Sequence, residues 1–191
     1  MNFRTLGLLG LTSVALVACG NDTATPEKAP ATTTTAAPAA PNTTAPASAG
    51  ALTLVGEGLR FSGTPGMIAF DTPKAGVLAA AKAALGGEPV MSTNADCPNG
   101  ATEDYSFGSK LILITRGGQF VGWQSDEAGP ATTSGIRAGS PRTDATASDS
   151  FQTVDSTFEQ TQISVDTVSG FLNDDGTKVD MLYAGDTCLA S

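Results

Sequence analysis

Histidine is absent from all 191 residues. Ser-His-Asp and Cys-His nucleophile activation, His-x-x-x-His metal sites and imidazole proton shuttles are therefore closed to this chain. Catalysis would have to run on carboxylate, lysine, tyrosine or cofactor chemistry, and the Gly-rich pieces match neither a P-loop nor a dinucleotide fingerprint. No metal and no cofactor is expected. Cations are scarce too, with 10 Lys and Arg against 19 Asp and Glu. Such a surface repels phosphate backbones and has no counterions to release from them, so nucleic acid is excluded as a partner. The same charge disfavours adhesion to anionic headgroups. Beyond the N-terminal segment there is no apolar run of bilayer-spanning length.

That N-terminal segment is an apolar run starting at Leu6, after the single basic residue Arg4, and ending in Leu16-Val17-Ala18-Cys19. Polar Gly20-Asn21-Asp22 follows at once. The run is too short and wrongly flanked for a permanent transmembrane helix and reads as a secretion signal. Leu-Val-Ala-Cys resembles the lipobox of bacterial lipoproteins, in which a dedicated peptidase cuts before the cysteine and that cysteine becomes the lipidated first residue. The resemblance implies a signal peptide over residues 1–18, an acyl anchor of the palmitate kind on Cys19, and a place in the bacterial cell envelope with the membrane as partner. Gly20 stands where that family carries an aspartate for inner-membrane retention, which implies the outer membrane where the organism has one. Without residues 1–18 the chain would carry 9 cations against 19 acids, a net charge of −10.

With Cys19 assigned to lipid, Cys97 and Cys188 are the two thiols left. An exported compartment is oxidising, so they are expected to pair. A redox or nucleophilic role has neither a Cys-x-x-Cys spacing nor a histidine behind it. Residues 19–50 read as a disordered linker: Ala, Thr and Pro fill 23 of the 30 positions from 21 to 50, with no large apolar residue to offset the entropy of ordering. Its reach lies between a coil of roughly 30 Å and an extended limit near ~95 Å.

Residues 51–191 are expected to form one globular domain. Leu52 to Val55, Leu59 to Phe61 and Met67 to Phe70 read as short extended pieces, and residues 73–85 as a helix, with Thr72 as its cap, Pro73 at its first position and Val77, Leu78, Ala81 and Leu85 on one face. A polar loop then leads to three antiparallel strands, Glu103 to Phe107, Leu111 to Ile114 and Gln119 to Gln124, with Arg116-Gly117-Gly118 as a hairpin turn. The remaining strands are 151–158, 162–168, 170–172 and 177–183. Ser140-Pro141-Arg142 echoes Thr72-Pro73-Lys74, and the segment from Gly176 to Met181 echoes that from Gly118 to Trp123. The reading is an α+β domain with an antiparallel sheet built from two degenerate repeats, 51–125 and 131–191, each an extended piece, a helix and a β-hairpin, closed by one disulfide. Thr143 to Ser150 has almost no large apolar residue, so the second helix is expected to be a turn at most. This arrangement resembles, loosely, the fold shared by β-lactamase inhibitory proteins and small outer-membrane assembly lipoproteins, with Gly135 to Pro141 as the matching helix start.

Trp123, with Tyr105, Phe107 and Phe120, is a candidate carbohydrate or peptide platform; core packing is the competing role and the one large aromatics usually take. Asn173-Asp174-Asp175-Gly176 lacks the terminal bidentate acid of a calcium loop and reads as a hairpin turn. The expected function is a non-catalytic envelope lipoprotein presenting a sheet face or loop to a protein, peptide or glycan. The alternative is a hydrolase or lyase dependent on carboxylates or a metal, which requires acids such as Glu103, Asp126 and Asp180 to converge in one pocket.

Overall fold

A computed structural model of the chain describes residues 52–63, 66–127 and 129–189. The expected signal segment, Cys19 and the expected linker lie outside the described residues. The elements run β1 (Leu52–Val55), β2 (Gly58–Phe61), β3 (Met67–Ala69), α1 (Lys74–Leu85), β4 (Val90–Asn94), β5 (Thr102–Ser106), β6 (Ile112–Arg116), β7 (Gln119–Asp126), β8 (Ala131–Thr132), α2 (Arg142–Thr146), β9 (Gln152–Val154), β10 (Gln162–Val165), β11 (Val168–Leu172) and β12 (Val179–Gly185). They form a four-stranded sheet of order β3-β2-β1-β8 and an eight-stranded sheet of order β4-β5-β6-β7-β12-β11-β10-β9.

This corrects the α+β expectation. Twelve strands in two sheets and two short helices make the chain mostly β. The sequence unit was also drawn wrongly: a helix is followed by a four-stranded meander, not by a hairpin. Two strands were not foreseen, and a third is shorter than expected. Val90–Asn94 sits in what read as a polar loop, and Ala131–Thr132 gains its extended form from parallel pairing with β1. Gln152–Val154 is all that forms of the longer strand expected over 151–158. None has an apolar alternation of its own, because each is held extended by a neighbour's backbone bonds.

The two meanders meet at β7 and β12, which pair antiparallel from Met181 opposite Asp126 to Gly185 opposite Gly122. Equivalent backbone bonds hold each helix start to its own meander. Lys74 N donates to Gly118 O and Arg142 N to Thr177 O; Phe120 N donates to Thr72 O and Val179 N to Ser140 O. The first amide of α1 is thus bonded by the β6–β7 turn, and Thr72 contributes no side-chain cap. That turn has Gly117 and Gly118 both at positive φ, 58° and 82°, the backbone a two-residue type I′ hairpin requires. α2 stops after five residues and buries only Ala145, since its segment offers no apolar stripe.

One face of the large sheet carries the core. Leu113, Trp123, Leu182, Val168, Leu172 and Ile163 pack with Leu54 and Leu59 of the small sheet and with Val77 and Ala81 of α1. Trp123 is fully buried, and its indole Nε1 donates to Val55 O at 3.3 Å, tying the two sheets together. The β10–β11 turn places Asp166 and Thr167 at φ 52° and 67°. Its strain is offset by the Asp166 carboxylate, which accepts from Thr132 Oγ1, Ser134 N, Ser134 Oγ and Ser150 Oγ at 2.7–2.8 Å.

Cys97 and Cys188 form a disulfide across a separation of 91 residues, with their Cα atoms 5.1 Å apart. In the chain-entropy treatment a loop of that length is worth about 4–5 kcal/mol. Replacing both cysteines by serine is expected to lower unfolding free energy by up to that amount. Urea titration followed by emission of the single, buried Trp123 measures it, and an unchanged midpoint would contradict the role of the clasp.

Candidate functional site

The opposite face of the large sheet carries a second, smaller apolar cluster. Phe171 is buried, at 3% exposure, yet stands outside the main core. Phe171 stacks on Tyr183 with centroids 5.5 Å apart, and Phe158 meets Phe171 edge-on at 5.1 Å. These three rings come from the β9–β10 loop, β11 and β12, so cross-strand pairing of Phe171 with Met181 and of Ser169 with Tyr183 sets their spacing. Beside them opens a cleft of about 730 Å³, lined by Phe158, Tyr183 and Gln162 on one side and by Asn99, Asp186 and Cys188 on the other.

The far wall is the C-terminal segment, and side-chain bonds hold it across the sheet. Arg116 Nη1 reaches Asp186 Oδ2 at 2.5 Å, Asn99 Nδ2 donates to the same oxygen at 2.8 Å, and Arg116 Nε donates to Gly100 O at 3.1 Å. Gln124 Nε2 donates to Thr187 O at 3.0 Å, and the disulfide closes the end. The Arg116 guanidinium holds the Asp186 carboxyl below its ordinary value against the opposing effect of burial. On the near wall Gln162 Nε2 donates to Tyr183 OH at 2.7 Å. Burial pushes the Tyr183 phenol up, outweighing its bonds with Ser169 and Gln162, so it stays neutral at physiological pH and can donate a hydrogen bond into the cleft.

The residues expected to form a binding platform lie elsewhere. Trp123 and Phe120 are wholly buried in the core, which corrects their candidacy as a surface. Tyr105 is half-buried at the other end of the sheet, its ring under Lys74 Nζ at 5.7 Å. The rings that reach solvent at the cleft, Phe158 and Tyr183, were missed. The one available signal was Phe158 as a lone large apolar residue inside Ser156-Thr157-Phe158-Glu159-Gln160, at the end of the strand expected over 151–158.

The three candidate acids do not converge. Glu103 is bound by Lys74, by Tyr105 OH at 3.1 Å and by Thr115 Oγ1 at 3.4 Å, and the Lys74 bond leads in lowering its pKa. Asp126 lies at the far end of β7 from the register position of Glu103, six residues or roughly 20 Å along the strand. Asp126 and Asp180 are close enough to interact, and Gln160 Nε2 donates to Asp180 Oδ2 at 3.4 Å. Burial raises the Asp126 carboxyl, and the charges of Asp180 and Glu127 raise it further. Among the described residues no group of three or more metal-ligating side chains comes together. The turn over Asn173 to Gly176 is closed by Gly176 N donating to Asn173 O at 2.8 Å and by the Asn173 and Asp175 carbonyl and carboxylate oxygens accepting from Thr177 N. No protein-family model matches the chain, and no curated protein or solved structure matches it either.

A carboxyl whose folded value is raised weakens the fold when it ionises. The penalty is absent below the ordinary value of 3.8, grows as pH rises through the raised folded value and is then constant. Asp126→Asn is therefore expected to stabilise the domain at pH 7 and to leave stability unchanged near pH 3. Denaturant midpoints at the two pH values test this; equal effects at both would show that the charge is not the cause.

Proposed function

We propose that this chain is a membrane-anchored envelope lipoprotein whose folded domain binds rather than catalyses, with the cleft on the outer sheet face as its ligand site. The observation that carries the binding reading is the ring ladder Phe158, Phe171 and Tyr183 opening beside Gln162, Asn99 and Asp186. An apolar wall with a few convergent polar groups is the ordinary make-up of a ligand site. The ligand it suits has a flat apolar face and hydrogen-bonding edges, as a glycan or a peptide side chain does. Catalysis would need an acid or base poised at the cleft. Among the described residues the one carboxyl raised above its ordinary range, Asp126, is not part of the cleft lining, the Asp186 carboxyl is committed to Arg116, and Asp155 on the cleft wall has no ion-pair partner to orient it.

The anchoring reading rests on Leu16-Val17-Ala18-Cys19 and on an acidic domain with no basic face of its own to hold a membrane. The linker then serves as the spacer between lipid and domain. Cys19→Ala is expected to release the protein from the membrane fraction or to leave its signal segment uncut, and unchanged membrane retention would refute the anchor.

For the cleft, a photoreactive phenylalanine analogue at Asp155, on the cleft wall, should cross-link an envelope component in intact cells. Phe158→Ala should abolish that product while the buried Trp123 emission stays the same. Recovery of no cross-linked component, together with turnover of an envelope substrate by the purified chain, would overturn the binding reading in favour of a hydrolase or lyase.

A further inference from the structure

The most exposed large apolar residues of the described chain are adjacent. Val90 is 73% exposed and Met91 55%, and both sit on β4, the last strand of the eight-stranded sheet. β4 pairs with β5 along all five residues in unbroken register, and among the described residues nothing pairs with its other side. Its outward row of backbone N–H and C=O groups is therefore open. Proteins usually guard such an edge with a lysine, a proline, a bulge or a very short strand. β4 has none of these, since it reads Val-Met-Ser-Thr-Asn and Pro89 stands before it rather than in it. The opposite edge, β9, is guarded by being only three residues long.

Charge around this edge is one-sided. The two nearby lysines are both engaged, Lys82 with Glu88 at 2.5 Å and Lys74 with Glu103. Asp96, just past the strand, and Asp104, directly opposite Ser92 on β5, have no cation within salt-bridge distance among the described residues. A second copy of the chain fits poorly here. Antiparallel self-pairing centred on Ser92 would set Asp96 of each copy at the end where Glu88 of the other lies, already paired with Lys82, so among the described residues a second copy offers Asp96 no free cation.

We propose that β4 is a strand-addition site for an extended peptide segment that carries basic residues at one end and β-branched or apolar residues at the other. The open backbone row supplies affinity, as strand addition to a sheet edge does in general. Val90 and Met91 point to opposite faces, facing Ser106 and Tyr105 respectively, so the partner's apolar residues would cover one above and one below the sheet. Its basic residues would lie along the half of β4 from Ser92 to Asn94, with Asp104 level with Ser92 and Asp96 just past Asn94. β4 is at the opposite edge of the sheet from β9, its Asn94 end running on through Asp96 and Cys97 to Asn99 on the cleft's other wall, and the strand-addition site does not depend on the cleft's function.

The test uses the full chain and a synthetic probe, acetyl-Lys-Lys-Thr-Val-Thr-Val-Ile-amide, followed by hydrogen–deuterium exchange. Amide exchange over residues 88–96 is expected to slow saturably, and a probe with glutamates in place of both lysines should bind roughly tenfold more weakly, the sum of two exposed charge reversals. Asp96→Asn combined with Asp104→Asn should bring the two probes to nearly equal affinity without changing the Trp123 emission. The proposal fails if exchange is unaltered up to ~1 mM probe, a binding free energy of about −4 kcal/mol. It fails equally if both probes bind alike to the unaltered chain, if the β4 amides that point away from β5 are already protected in the free monomer, or if their protection tracks dimer formation by sedimentation.

Discussion

The pairing of β7 with β12 is the interaction on which the remaining architecture depends. It turns two four-stranded meanders into one eight-stranded sheet, and it does so where the backbones crowd. Gly122 faces Gly185 across the seam. A Cβ on Gly122 would lie 2.6 Å from Asp186 O, and one on Gly185 would lie 2.3 Å from Val121 O, at a φ of 77° that side-chain-bearing residues rarely adopt. Because neither residue has a side chain, β12 can turn directly into the tail that crosses the sheet, and Asp186 N donates back to Val121 O at 2.9 Å.

From that seam the two faces of the sheet acquire different roles. Alternation sends Trp123, Leu182 and Ala184 to one side, where the small sheet and α1 cover them, and sends Gln124 and Tyr183 to the other. The second face is covered only in part, by the tail and by the loop carrying Phe158. The tail is held by an ion pair, a hydrogen bond from the Asn99 amide and a disulfide, so it leaves a polar-walled opening instead of a sealed layer. Glu103 and Lys74 make a comparable link between α1 and β5 on the core side.

Much of the secondary structure was legible because its signals are local. Val77, Leu78, Ala81 and Leu85 recur at helical spacing, and the Gly117-Gly118 turn names its own geometry. The β4 strand was not legible, since Val90–Asn94 is exposed along nearly its whole length and has no burial pattern to detect. The candidate site was less legible still. Trp123 and Phe120 carried the strongest aromatic signal and went to the core, which large rings favour when a sheet offers one. Phe158 became a cleft residue only because Phe171 and Tyr183, 13 and 25 positions later, stand beside it on neighbouring strands. No periodicity connects those three positions.

By itself, the sequence determined chemistry that does not depend on contacts: the absence of imidazole, the acidic balance that turns phosphate away, and the turn residues whose conformational needs are intrinsic to glycine and proline. Two cysteines left over once Cys19 is read as the lipid anchor made their pairing the expected outcome, and the fold provides it at a Cα separation of 5.1 Å. Only the tertiary structure decided which face each strand turns to the core, which aromatics are left in solvent, and which sheet edge stays open. Those outcomes depend on strand order and register, and both are settled by contacts between residues far apart in the chain, as at Gly122 and Gly185.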